Sequence, residues 1–366
     1  MGLLHPLKND IGRCPRGPRN QITDVPGVTV GHTTISRGDY RTGVTAIIPQ
    51  PDNLFARKLP AASQVINGFG KSIGLIQIDE LGTLETPVIL TNTCAVGTAS
   101  TALIRYMLEQ NPDIGDTTGT VNPVVLECND GYLNDIRTLA VKEDDVAAAL
   151  RHADEDFAEG AVGAGTGMSC YGLKGGIGSA SRLIALDNRT YTLGCLVLSN
   201  FGVMEDLTIQ GHAVGRELAK CRELTEEKGS IIVVLATDLP LSDRQLKRIC
   251  RRASVGITRT GSFIGNGSGE IVLAFSTANR IAHYESRDFV PMVELNENKI
   301  NGIFRATISV VEESVISSLV HAETTVGRKG HTRLNISAAI SRLEAARDQT
   351  GEMLPETDSF RDILQS

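Results

Sequence analysis

The sequence predicts a layered α+β body, and three observations carry that prediction. Short runs rich in Val, Ile and Leu, mostly bounded by Gly, Asn, Asp or Pro, recur along the 366 residues and read as buried sheet strands. Between them lie segments whose apolar residues repeat every 3.6 positions, the mark of amphipathic helices. The two kinds of segment do not alternate strictly, as they would in a doubly wound parallel sheet, and no low-complexity linker interrupts them. Residues 1–366 are therefore read as one domain.

In chain order, Asp24-Val25-Pro26-Gly27 reads as a structural turn after an N-terminal strand, and strands are expected at Gly43–Ile48, Ile73–Ile78 and Pro87–Leu90. A helix near Thr98–Glu109 and a strand at Pro123–Glu127 follow. In Val141–Phe157 the side chains of Val146, Leu150, Ala153 and Phe157 share a helical face. A strand at Tyr191–Leu198, a helix near Thr208–Lys220 and the strand Ser230–Ala236 come next. Ser242 followed by Gln245 is a capping-box start for a helix to Ile257 that groups Leu246, Ile249, Cys250, Ala253 and Ile257. The strand Glu270–Phe275 precedes helices near Ile308–Ala322 and Ser337–Arg347, and the chain beyond Gly351 is polar and loose.

Composition excludes several function classes. With 41% hydrophobic and 22% charged residues, 37 Gly and no Trp, the chain is neither disordered nor collagen-like. A net charge of −7 without a long basic run leaves no nucleic-acid footprint, so small-molecule or peptide partners are expected. No secretory apolar region opens the chain and no charge-free stretch is long enough to span a bilayer, which points to the cytoplasm and to no membrane partner. The seven Cys are scattered, without a Cys-x-x-Cys pair, and read as free thiols. The seven His show no ligand spacing, so neither a metal site nor a cofactor is proposed.

The Gly-rich passages fail as nucleotide motifs. Asn67–Ser72 ends like a P-loop, but Val65 stands where the motif needs its first Gly; Gly163–Gly167 continues as Met168-Ser169 and lacks the last Gly of a dinucleotide fingerprint. Ser268 is flanked at two positions by Asn266 and Glu270, so it is not a nucleophile elbow.

What remains is chemistry without a His base. A serine hydroxyl needs a base nearby, and a free α-amino group, with a pKa of roughly 7.7 to 8.0, serves when the serine is itself N-terminal. That requires a broken peptide bond before the serine. There are four Gly-Ser steps, at Ser179, Ser230, Ser262 and Ser268, so the dipeptide alone says little. Only Ser230 follows a charged loop, Arg222–Gly229, and opens a strongly apolar strand that would hold a freed terminus rigidly. Gly229 leaves the scissile carbonyl uncrowded for an N-to-O acyl shift. The plainer reading, a surface helix-to-strand loop, stays open on local physics.

Several longer passages carry a resemblance: ITDVPGVTVGHTT (22–34), LTNTCAVGT (90–98), ECNDGYLND (127–135), GAGTGMSCYGLKGGIGSASR (163–182), LVLSNFG (196–202), GSIIVVLATDLPL (229–241), RRASVGITRTGS (251–262) and NGSGEIVLAFSTAN (266–279). The sequence resembles the L-aminopeptidase D-amidase/esterases and β-peptidyl aminopeptidases, which mature by self-cleavage. The resemblance implies a four-layer αββα sandwich like that of N-terminal-nucleophile hydrolases. It also implies cleavage at Gly229–Ser230 into chains 1–229 and 230–366, and Ser230 as nucleophile.

The same resemblance places the family's second serine and glutamate on Ser268 and Glu270, two positions apart and so on one side of an extended stretch. Asn200 matches the oxyanion-hole position and Tyr132 a tyrosine lining the site. A carboxylate is needed to meet a substrate ammonium; Glu127 and Asp130 are both candidates, and the sequence does not choose between them. The implied activity is hydrolysis of N-terminal aminoacyl amide or peptide bonds, including ester, D- or β-aminoacyl substrates, through an acyl-enzyme. Lys228 and the short Arg222–Glu227 linker depart from the family pattern without removing a required group. The implied assembly is a tetramer of two-chain units. Acyl transfer of the ornithine acetyltransferase type, or a binding protein on the same scaffold that never matures, are the alternatives.

Overall fold

The most apolar run in the chain becomes an inner strand. In Gly229–Thr237, Ile231, Val233 and Leu235 pack into one buried cluster while Ile232, Val234 and Ala236 pack into another. A strand covered on both faces has no need of polar alternation, which explains the unbroken hydrophobic sequence. The computed structural model describes residues 11–219 and 229–350.

The strands are β1 (Thr29–Arg37), β2 (Tyr40–Ile48), β3 (Arg57–Gly68), β4 (Thr83–Leu84), β5 (Val88–Asn92), β6 (Val124–Cys128), β7 (Ser169–Cys170), β8 (Leu173–Lys174), β9 (Gly176–Leu186), β10 (Arg189–Asn200), β11 (Gly229–Thr237), β12 (Ser268–Ser276), β13 (Ile281–Ala282), β14 (Thr325–Val326) and β15 (Thr332–Arg333). The helices are α1 (Leu75–Leu81), α2 (Val96–Gln110), α3 (Glu143–Arg151), α4 (Val214–Ala219), α5 (Asp243–Arg259), α6 (Asn301–Val320) and α7 (Ile336–Thr350). One sheet has the order β1-β2-β5-β6; the larger one runs β13-β3-β12-β11-β10-β9, with β4 beside β3. Within the larger sheet β11 and β12 are parallel, while β10 and β11 are antiparallel.

Three buried clusters separate four layers. Val44, Ala46, Ile89 and Val125 of the smaller sheet pack on α2 and α3 through Ala99, Leu103, Val146 and Leu150. Leu90 and Leu126 meet Leu196, Leu198, Ile232, Val234 and Leu273 between the sheets. On the far side Val197, Val233 and Val272 pack against Ile249, Ala253, Val311 and Val315 of α5 and α6. The expected α+β class and its αββα layering are therefore both present.

Several local expectations need correction. Ile73–Ile78 is not a strand: Ile73 makes a single bridge to Val125, then Gly74, at φ 92°, turns the chain into α1. A Cβ there would meet the Pro123 carbonyl oxygen at 2.4 Å, so only glycine allows this close exit. The helix expected over Val141–Phe157 ends at Arg151, because Asp154 exchanges backbone hydrogen bonds with Val30 of β1 and pulls the chain to the sheet edge. Within the described part of Thr208–Lys220, Val214–Ala219 is helical; before it, Gln210 and Gly211 form a positive-φ turn closed by an Ile209–His212 bridge. The Asp24–Gly27 turn precedes β1 and follows the single 3-10 turn Ile22–Asp24 instead of a strand. For α5, Gln245 accepts from the Ser242 N–H at 3.3 Å, as the capping box requires.

The strands β1, β3 and β9 had no counterpart among the expected elements. In β9 the reason is packing. A Cβ on Gly178 would lie 2.0 Å from the Ser314 carbonyl oxygen of α6, so the closely approached strand is built from Gly, Ser and Ala and reads locally as a loop. The charged stretch Arg222–Lys228, Lys220 and Cys221 lie outside the described residues. Among the described residues no helix is long and apolar enough to cross a membrane.

Candidate active site

The ends of three adjacent strands build the site. Asn200 is the last residue of β10, Ser230 the second of β11 and Ser268 the first of β12. Asn200 pairs directly with Ser230, while the parallel register sets Gly229 beside Ser268 and Ser230 beside Gly269. All three predicted residues thus converge on one end of the larger sheet. Each is buried, Ser268 completely.

Strand alternation decides which way each side chain faces. Asn200 and Ser230 fall in the parity of Leu198 and Ile232 and face the space between the sheets. Ser268 and Glu270 fall in the parity of Val272, on the helix side. Ser268 donates a hydrogen bond to the Glu270 carboxylate, so the expected pair forms. The pair is on the other face of the sheet from the Ser230 hydroxyl, with Ser268 in register beside Gly229. The Ser230 hydroxyl donates to the Gly229 carbonyl oxygen at 2.7 Å, which sets the nucleophile against the bond expected to break.

Asn200 is oriented from two sides. Its Oδ1 accepts the Ser169 N–H at 2.8 Å, and its Nδ2 donates to the Asn129 carbonyl at 2.9 Å. An amide nitrogen carries two N–H bonds, so a second donor remains on the face it shares with Ser230. Below the pair, the Cys128 thiol reaches the Ser230 carbonyl at 3.4 Å and the Leu198 carbonyl at 3.5 Å. Burial pushes this thiol well up, keeping it a neutral donor.

The two candidate carboxylates differ. Glu127 Oε1 accepts the Lys71 N–H at 2.7 Å and its Oε2 accepts from the Thr93 hydroxyl, so it lies under the loop joining β3 to α1. That loop borders the nucleophile: a Cβ on Gly269 would sit 2.7 Å from the Phe69 carbonyl oxygen and 3.1 Å from Ser230 Oγ. Asp130 is instead completely buried, accepts from Asn134 Nδ2 at 3.0 Å and lies against Gly167. Burial pushes its carboxyl up to about 7 against the opposing hydrogen bonds of Thr42 and Asn134. Nearby, the buried Lys174 ammonium donates to the Gly165 and Gly175 carbonyls at 2.9 and 2.6 Å and is lowered to about 7, also by burial.

Tyr132, 41% exposed, lies in the turn after β6, three residues beyond the Asn129 carbonyl that holds Asn200. Its ring stacks on His331 at 4.7 Å and carries the Arg333 guanidinium at 3.7 Å. Sequence reasoning missed the supporting residues. Cys128 and Asn129 lie inside the ECNDGYLND passage and Ser169 inside GAGTGMSC, so the motifs pointed at them without assigning a task. For Arg333 no local signal existed. Among the described residues no cluster of three His, Cys, Asp or Glu side chains is placed to hold a metal.

An αββα body that presents a buried serine at the head of an inner strand is the architecture of a hydrolase of the N-terminal-nucleophile kind, and comparison with known proteins makes the class a peptidase. The chain belongs to Peptidase family S58, whose family model matches residues 20–333. It is 36% identical over 342 residues to the β-peptidyl aminopeptidase BapA of Sphingosinicella microcystinivorans, covering 86% of this chain and 85% of that one. Among solved structures it superposes on the PH0078 protein of Pyrococcus horikoshii with a TM-score of 0.88 at 51% identity, covering 94% and 98% of the two chains. It likewise matches the L-aminopeptidase D-Ala-esterase/amidase of Ochrobactrum anthropi, described as a prototype for the serine aminopeptidases and a new variant among the Ntn hydrolase fold. That TM-score is 0.85 at 37% identity, over 95% of this chain and 100% of that one.

Proposed function

We propose that this peptidase is a self-processing aminopeptidase that cuts its own Gly229–Ser230 bond and uses the freed Ser230 as nucleophile. The observation that carries the reading is the Ser230 hydroxyl 2.7 Å from the Gly229 carbonyl oxygen, with Asn200 directly across the strand pair. In maturation the hydroxyl oxygen adds to the Gly229 carbonyl carbon, the C–N bond breaks, and the hydroxyl proton passes to the Ser230 nitrogen that leaves. The resulting ester is hydrolysed by water, leaving a Gly229 carboxylate and a Ser230 amine. In turnover the amine takes the hydroxyl proton as Ser230 Oγ attacks the aminoacyl carbonyl, then delivers it to the departing amine. Water hydrolyses the acyl-enzyme.

Asn200 donates to the oxyanion, where charge develops only on the way to the tetrahedral intermediate. The Ser268–Glu270 pair, on the neighbouring strand in register with Gly229, steadies the freed amine and its proton. Glu127 is the better counter-charge for the substrate ammonium, because it borders the loop beside Ser230, whereas Asp130 is completely buried and lies against Gly167. The relatives are named as aminopeptidases, which does not favour the acyltransferase alternative.

N-terminal sequencing and intact mass of purified protein test the reading. Two chains are expected, one beginning at Ser230, with turnover of aminoacyl p-nitroanilides; an uncut chain that still turns them over would overturn it. The tetramer implied by the resemblance would need faces to bury, and the exposed Phe289 and Val293 offer apolar side chains to a second copy. A cytoplasmic setting is consistent with six described cysteines, all free.

A further inference from the structure

Arg333 belongs to the portion of chain that follows the Gly229–Ser230 junction and pairs there with Thr325, yet its side chain also reaches two residues that precede the junction. Its Nε donates to Ser169 Oγ at 3.1 Å, and the Ser169 N–H donates to Asn200 Oδ1 at 2.8 Å. The guanidinium lies 3.7 Å over the Tyr132 ring, whose other contact is the stacked His331. Backbone bonds on both sides hold the arginine in place: Arg328 N–H donates to the Leu133 carbonyl and Lys174 N–H to the Leu334 carbonyl, each at 2.8 Å. The His331 ring also meets the Tyr132 carbonyl at 2.8 Å.

We infer that Arg333 is a positioning residue that aims the Asn200 amide through Ser169 and sets the Tyr132 ring at the mouth of the site. The planar fork is what the geometry uses: one edge hydrogen-bonds Ser169 while the face covers an aromatic ring, which a lysine ammonium reproduces only in part. Because the amide matters only when the oxyanion develops, a misdirected Asn200 costs turnover and spares ground-state binding. The inference rests on the proposed part of Asn200 in the reaction.

The test uses full-length protein after complete processing, checked by mass, with aminoacyl p-nitroanilides as substrate. Arg333→Met is expected to lower kcat roughly 10- to 100-fold while KM moves less than about threefold, and Arg333→Lys to recover part of the loss. Ser169→Ala, which keeps the backbone N–H, should lower kcat as well, and the double variant should be no worse than the more damaged single one, since both break one chain of contacts. If Arg333→Met does not fold, the loss of kcat in Ser169→Ala reads the same link. An unchanged kcat, a loss confined to KM, or additive effects in the double variant would overturn the inference alone. A wild-type protein that neither processes nor turns over substrate overturns the aminopeptidase reading and this inference with it.

Discussion

Asn200 and Ser230 are a cross-strand pair on the same face of the β10–β11 ladder, the last ordered position of one strand opposite the opening of the next. Side chains so paired are about 5 Å apart, which keeps an amide donor at a fixed offset from the nucleophile without any loop having to close. The clamp on Asn200 from Ser169 and Asn129 further reduces the reorganisation needed during reaction.

Replacing Asn200 with Ala should therefore lower kcat by about 100- to 1,000-fold, the usual loss for one oxyanion donor, with a much smaller change in KM. Steady-state kinetics on processed protein checks this, and a loss below about threefold would remove Asn200 from the oxyanion site.

Gly229 offers a steric test. A Cβ there would lie 2.0 Å from the Asn200 carbonyl oxygen, a backbone atom that cannot move without shifting β10. Gly229→Ala should slow self-cleavage by disturbing the pair that aligns the hydroxyl with the scissile carbonyl. A time course of chain separation on denaturing gels, compared with the unaltered protein, gives the answer.

Glu127→Gln keeps the side chain's shape and removes its charge. A KM increase for substrates with a free ammonium is expected, with no comparable change for an N-acylated analogue, which would be a poor substrate throughout. If Asp130→Asn gave that KM signature and Glu127→Gln did not, the assignment of the two carboxylates would be reversed.

The buried pair Asp130 and Lys174 predicts an unusual pH dependence of stability. The Asp130 carboxyl is raised from 3.8 to about 7, so its contribution is intact below pH 3.8 and is lost as pH climbs through 7. Lys174 is lowered from 10.5 to about 7, so its contribution is intact above pH 10.5 and is lost as pH falls through 7. Together they place a stability minimum near neutrality, each limb approaching about 1.4 kcal/mol per pH unit. Denaturant titrations at stepped pH should show the falling limb vanish in Asp130→Asn while the rising limb stays.

Much of this protein was legible in one dimension because burial leaves a local trace. The strand at 230–236 shows as unbroken apolar sequence, α5 as a 3.6-period stripe with its cap, and the family motifs carry Ser230, Ser268, Glu270 and Asn200 by position. Strands such as β9 left no such trace, since close packing against the α6 backbone selects small residues that read equally well as loop. The exit of the chain at Gly74 depends on the Pro123 carbonyl, which a Cβ there would meet at 2.4 Å, an atom nearly 50 residues off whose approach no local pattern encodes.

Sequence alone determined that the apolar runs of β10, β11 and β12 are buried on both faces, because hydrophobic runs answer to solvent exclusion residue by residue. Which face each candidate catalytic side chain occupies is decided only by strand register: a shift of one residue would move Ser230 away from Asn200 and onto the side of Glu270. The proposed preference for Glu127 over Asp130, and the tie from Arg333 to Ser169, a contact spanning well over 100 residues, likewise rest on contacts that exist only once the layers have closed.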